Sequence, residues 1–207
     1  TWGVGSDMRP DHECIPHRIH EGWPDPAECG KANFSCHMKT NNEPGNSADD
    51  SPNTVEQILN NWQTLMRTGM RLCSESSHDG SWAHLDQFIA EIDKRGWRCD
   101  ILDLHCYWAS GFDNMKYYYD KYGKRPIWIS EFVWGASWNN NGIFATDRSF
   151  SQANQQKNLD AMKGIFASLN SSPYVERYAY WNSEADCSKL LRGESELSLT
   201  GKYFQTM

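Results

Sequence analysis

No stretch of this chain approaches the ~20 consecutive apolar residues that a membrane-spanning helix needs, which argues against membrane insertion. Basic residues are also in deficit. The 20 Lys and Arg stand against 27 Asp and Glu, a formal net charge of −7, so no basic face is expected to neutralise a nucleic-acid backbone. No glycine-rich phosphate loop follows any apolar run, and this weighs against the nucleotide-binding form of an open sheet. No linker-like stretch divides the 207 residues, so one compact domain over 1–207 is expected. The chain starts at Thr1 without a leader-like segment and is read as a mature form or a fragment of a longer chain.

Tryptophan, by contrast, is plentiful, with 10 residues. A core does not need that many, because indole is bulky and its N–H requires a partner when buried. Some of them are expected to line a cleft, where flat ring faces stack on sugar C–H faces. Cysteine numbers 7, which leaves at least one unpaired under any connectivity. Cys73, Cys99 and Cys106 lie in apolar segments and read as small buried hydrophobes. Cys14, Cys29 and Cys36 lie in loop-like sequence, where a Cys29–Cys36 bridge is one option. Asn33 and Asn170 begin glycosylation-acceptor triplets, a pattern common by chance.

Short apolar runs alternate with amphipathic ones. Strands are expected near 2–5, 14–19, 38–43, 71–76, 100–108, 126–132 and 175–182. Val55, Ile58, Leu59, Trp62, Leu65 and Met66 recur at helical spacing until Gly69, and Trp82, Leu85, Phe88, Ile89 and Ile92 form a second stripe closed by Gly96. Further helices are expected over 112–122, 151–169 and 197–204. This βαβα order implies a parallel sheet with helices outside it. An open doubly wound sheet and a closed barrel both fit that order, but polar and aromatic residues gather at the C-terminal ends of the strands, which in a barrel all meet at the face that carries the site, and this favours the barrel. The fold expected is therefore α/β, a (β/α)₈ TIM-type barrel. Only two strands precede the one ending at Glu43 where a full barrel has three, so the N-terminal side is irregular or short of a strand.

Glu43 and Glu131 each end an otherwise apolar strand, where a carboxylate is costly unless it has a partner or a task. The bland reading is a pair of salt bridges at the barrel rim. The chemical reading is a pair of carboxyl groups on different strands, one to protonate a leaving oxygen and one to attack or stabilise an anomeric carbon.

The flanking residues sharpen this. Asn42-Glu43-Pro44 on one strand and Ser130-Glu131-Phe132 three strands later resemble the clan of (β/α)₈ retaining glycosidases. Thr40-Asn41-Asn42-Glu43-Pro44, residues 100–107, residues 125–132 and residues 175–181, in that order, resemble the Asl1-like catalytic domains, family 128 of the glycoside hydrolases. The resemblance covers most of the chain from Ile15 onward. It implies action on β-1,3-glucan, with Glu43 as acid/base and Glu131 as nucleophile, and without cofactor or metal. It also suggests Asn42 for a sugar 2-hydroxyl, His105 and Tyr107 beside the nucleophile, and Trp181 as the floor of a central subsite. Trp108, Trp134 and Trp138 follow strands and are candidates to stack on sugar. His20 and Trp23 are further candidates for substrate contact, although the segment 21–34 is more elaborate than the family leads one to expect. The role of acid requires Glu43 to have the higher pKa of the pair. The partner expected is a polysaccharide or oligosaccharide, the protein a monomer, and its place secreted or at the cell surface.

Ser77-His78-Asp79 are adjacent and diverge in direction, unlike a hydrolase triad. His17, His20 and Glu21, with His12, lack the spacing of a zinc helix. A barrel that binds sugar without cleaving it is the alternative from a different class, and the retention of both carboxylates counts against it.

Overall fold

The structure is a computed structural model that describes residues 2–3, 13–19, 23, 25, 35–48, 53–78, 82–107, 112–136, 144, 146–182 and 185–207. Seven strands follow in barrel order: β1 (Trp2–Gly3), β2 (Ile15–Pro16), β3 (His37–Asn42), β4 (Arg71–His78), β5 (Ile101–His105), β6 (Ile127–Phe132) and β7 (Val175–Tyr180). The last five form one parallel sheet in sequential order, β1 pairs with β2, and a His17–Lys39 bridge joins β2 to β3. The two short strands before Glu43 lie where the sequence placed them. Among the described residues no backbone ladder joins β7 to β1. Side chains span that side instead: Glu13 accepts hydrogen bonds from His37, at 2.7 Å, and from Arg177 of β7. Arg71 of β4 forms a two-pronged pair with Glu176 of β7, at 2.7 and 2.9 Å.

Helices connect the strands: α1 (Val55–Asn60), α2 (Trp62–Met66), α3 (Trp82–Lys94), α4 (Met115–Lys121) and α5 (Gln152–Ser171). The expected helix from Val55 to Gly69 is broken at Asn61, the second of two consecutive asparagines, poor helix formers whose side chains compete for backbone hydrogen bonds. Thr54 caps α1 and shares a capping box with Gln57. Trp62 is fully buried and donates its indole N–H to Arg98 O at 2.9 Å, so its polar edge is satisfied. On α3 the stripe Leu85, Phe88, Ile89 and Ile92 is buried against the strands, as its spacing requires. The tail departs from expectation. A hairpin of β8 (Leu191–Arg192) and β9 (Glu196–Leu197) precedes the closing helix α6 (Leu199–Phe204), its turn carried by Gly193 at φ 60°. That turn chemistry is present in the sequence, but two-residue strands give too little periodicity to be seen.

Inside the strands the core is layered. Ile15, Cys73, Ile101 and Trp128 form an apolar cluster on the concave face. Next to it Lys39 of β3 reaches across β4 to Asp103 of β5, Nζ to Oδ2 at 3.2 Å, with both side chains essentially inaccessible. Ser76 donates a 2.6 Å hydrogen bond to the same carboxylate. Cys73 and Cys99 are buried, as read; Cys36 is a free thiol, and Cys29 lies outside the described residues. No helix among the described residues is long and apolar enough to cross a membrane.

Candidate active site

Glu43 follows the last residue of β3. Its neighbour Asn42 donates its N–H to Ile19 O at 2.8 Å, and Glu43 donates its own to Ser76 O at 3.0 Å. The chain is thus held from both sides at this point. Glu43 adopts φ 35°, a left-handed backbone that costs energy for a residue with a Cβ. The turn Pro44-Gly45-Asn46 doubles back, and Asn46 donates its side-chain amide to Glu43 Oε2 at 2.5 Å.

Glu131 reaches the same space by a different device. Along β6 the residues Ile127 and Ile129 belong to the main core beneath the helices. Strict alternation would send Glu131 there too. The β5–β6 register shifts between Leu104 and His105, so that Leu104 pairs with Ile129 but His105 pairs with Glu131. This bulge turns the carboxylate to the barrel mouth. Tyr107 donates its hydroxyl to Glu131 Oε2 at 2.6 Å.

His105 stands between the two acids and is completely buried. Its Nδ1 lies 2.6 Å from Glu43 Oε1 and 3.4 Å from Glu131 Oε2. One ligand-type atom from each of Glu43, His105 and Glu131 falls within 4.8 Å of the others. Burial lowers the affinity of His105 for a proton, but the charge of Glu131 and the bond to Glu43 outweigh it, and its pKa is raised. For Glu43 burial pushes upward, while the hydrogen bond and charge of His105, with Asn46 and His78, push harder downward, so its pKa is lowered. The role of acid asks for the higher pKa of the pair at Glu43, and these contacts act on it in the opposite direction. The sequence analysis named His105 for this site but set it beside Glu131. His105 and Tyr107 do share a face, yet the shorter contact of His105 is to Glu43 and not to Glu131.

The other candidates divide. Asn42 is half-buried beside Glu43. Trp181 meets Tyr107 edge to face at 6.1 Å, which places an indole next to the Glu131 side of the site. Trp134 lines a separate cavity of about 220 Å³ with Tyr107, Phe112, Val133 and Ile165, and its carbonyl accepts from Asn158 at 2.6 Å. Trp23 is 48% exposed. His20, Trp108 and Trp138 lie outside the described residues. Sequence reasoning missed Asn46, whose signal was an amide three residues after the acid in a Pro-Gly turn, and Ser76, which carried none. Ser77 spends its hydroxyl on Glu75 at 3.1 Å, in keeping with the rejection of a triad there. A second cluster with metal-type ligands, Glu13, Cys36 and His37, is hydrogen-bonded within itself, and His37 Nε2 faces Arg71 at 3.2 Å.

Two acids converging at the mouth of a parallel-strand barrel, each with its own hydrogen-bonding partner, form the kind of site that glycoside hydrolases use. The chain belongs to the glycosyl hydrolase catalytic core family, which matches residues 18–204, and it is a glycoside hydrolase. Solved structures agree with the family 128 resemblance. A family 128 (subgroup I) endo-β-1,3-glucanase from Amycolatopsis mediterranei, in complex with laminaritriose, is 25% identical at a TM-score of 0.74, over 98% of this chain and 85% of that one. A subgroup II endo-β-1,3-glucanase from Pseudomonas viridiflava is 21% identical at 0.74, over 95% and 80%. A subgroup III curdlan-specific exo-β-1,3-glucanase from Blastomyces gilchristii, in complex with glucose, is 21% identical at 0.72, over 100% and 88%. No curated protein matches the sequence.

Proposed function

We propose that this protein hydrolyses β-1,3-linked glucan with retention of configuration, Glu131 attacking the anomeric carbon and Glu43 serving as acid and then base. The observation that carries the reading is the approach of the two carboxylates to within 4.8 Å, with His105 between them. Retaining pairs sit roughly 5–5.5 Å apart, and inverting pairs are wider to admit a water. The relatives above are β-1,3-glucanases, and one holds laminaritriose.

In the first step the Glu131 carboxylate forms a bond to the anomeric carbon, and the glycosidic oxygen leaves with a proton from Glu43. That proton rests in the 2.6 Å contact between His105 Nδ1 and Glu43 Oε1. The lowered Glu43 and the raised His105 favour the imidazole side of that contact. A seated glucan excludes water and favours the neutral acid on Glu43. In the second step Glu43 takes a proton from water as that water displaces the sugar from Glu131. Tyr107 holds Glu131 in its attacking position throughout. A polymeric substrate is met outside the cell, so a secreted or cell-surface location accompanies this reading.

The test is incubation with laminarin-type glucan, following new reducing ends and the anomer first formed. The expected result is release of β-anomer, abolished in Glu131→Gln with glucan binding kept. Binding without release in the wild type, or normal turnover in Glu131→Gln, would overturn it.

A further inference from the structure

Glu75 is a wholly buried carboxylate to which the mechanism above gives no part. It lies on β4 between Cys73, which belongs to the concave apolar cluster, and Ser76, which bonds Asp103. A register shift between Cys73 and Ser76 turns Glu75 away from the barrel interior. There both of its oxygens lie 2.9 Å from His84 Nδ1 on α3. The other ring nitrogen, Nε2, lies 2.9 Å from Asn53 O, just before α1. The carbonyl only accepts, so Nε2 donates to Asn53, and Nδ1 shares a proton with Glu75, a contact that raises the proton affinity of His84 while burial raises that of Glu75. The pair is not exposed at a rim, because the His84 side chain is only 16% accessible.

The position of that imidazole explains what the pair is for. A Cβ built on Gly45 would stand 3.3 Å from His84 Cβ and 3.4 Å from its Cδ2, so the ring packs against the turn that follows Glu43. This turn brings the Asn46 amide to Glu43 Oε2. His84 therefore holds the connection after β3 at two points, through packing at Gly45 and through the carbonyl of Asn53.

We propose that the buried Glu75–His84 pair positions the general acid, fixing the turn at residues 44–46 so that Glu43 is aimed at the leaving oxygen. The inference rests on the assignment of Glu43 as acid/base. Neither residue touches substrate; both act through the backbone that carries Glu43 and Asn46.

A structural pair and a positioning pair differ in what they do to leaving-group dependence. Departure of a glucan hydroxyl needs a proton, whereas departure of 2,4-dinitrophenolate does not. Since kcat/KM reports the first step alone, glucan and a 2,4-dinitrophenyl β-glucoside are compared by kcat/KM, well below the Tm of each protein. Glu75→Gln keeps the shape of the pair, and His84→Gln removes the imidazole. In each, kcat/KM on glucan is expected to fall on the order of 10–100-fold, the scale of a small displacement of a catalytic group, and that on the aryl glycoside to hold within about twofold. Equal losses on both substrates, or no loss on glucan, would overturn the proposal. If His84→Gln does not fold, Glu75→Gln decides alone. Glu43→Gln serves as reference: if it fails to separate the two substrates, the acid/base assignment is wrong. If it separates them and the pair variants do not, only the present inference fails.

Discussion

Glu43 and His105, 62 positions apart in the chain, meet at 2.6 Å, and each shifts the proton affinity of the other away from its ordinary value. The carboxyl is lowered and the imidazole raised, the directions that attraction between opposite charges on the two gives.

This pair should leave a signature in stability against pH. A lowered carboxyl stabilises the fold above its unfolded value, ordinarily 4.5, and that contribution is lost as pH falls through the folded value. A raised imidazole contributes fully below its ordinary 6.5, and its share is lost as pH rises through the folded value. The contribution is greatest between 4.5 and 6.5. Thermal melts of the wild type and Glu43→Gln should differ most in that window and converge toward acid. A gap that does not change with pH would contradict the pairing.

Tyr107→Phe tests the hold on Glu131. It removes one hydroxyl, which donates at 2.6 Å, and leaves the ring against Trp181 in place. A hydrogen bond to a charged group is worth about 1.5–3 kcal/mol, so under the proposed role of Glu131 kcat should fall roughly 10- to 100-fold if most of that is expressed in the rate. Circular dichroism and Tm should stay near those of the wild type. Unchanged kcat would show that the hydroxyl does not orient Glu131.

Lys39→Met tests the layer beneath the site. It leaves Asp103 buried with Ser76 as its remaining named partner. Breaking a buried pair from one side costs about 3–5 kcal/mol, roughly 10 °C of Tm in a chain of this size. The double variant Lys39→Met with Asp103→Leu should recover much of the loss. Denaturant titration measures both, and additive losses would show that the two residues are not coupled.

Gly135→Ala tests the loop after β6. At φ 101° a side chain is strained, and its Cβ would lie 2.6 Å from Phe144 Cε2. Overpacking of this kind costs about 1–3 kcal/mol, so Tm should drop by several degrees, on the order of 2–4 °C per kcal/mol. Because Trp134 precedes this glycine, its fluorescence should change as well. A melt and emission spectrum like those of the wild type would rule the contact out.

The order of elements and the two acids were legible in the chain because both are local signals. Runs such as Ile101 to Leu104 read as strands covered on both faces, and the stripe Leu85, Phe88, Ile89 and Ile92 reads as a helix by spacing alone. Glu43 and Glu131 stood out because a carboxylate ending an apolar strand needs a reason. Which way those acids face was decided only in the assembled sheet. The parity of β6 predicts Glu131 under the helices, and a bulge against β5, a feature of pairing between strands, reverses it. The partner of His105, the direction of the Glu43 shift, and the pairs Lys39–Asp103 and Glu75–His84 were likewise set by contacts across the barrel or between sheet and helix. Local periodicity fixes what each segment becomes; a proton affinity depends on what lies within a few ångströms, and most of that comes from distant parts of the chain.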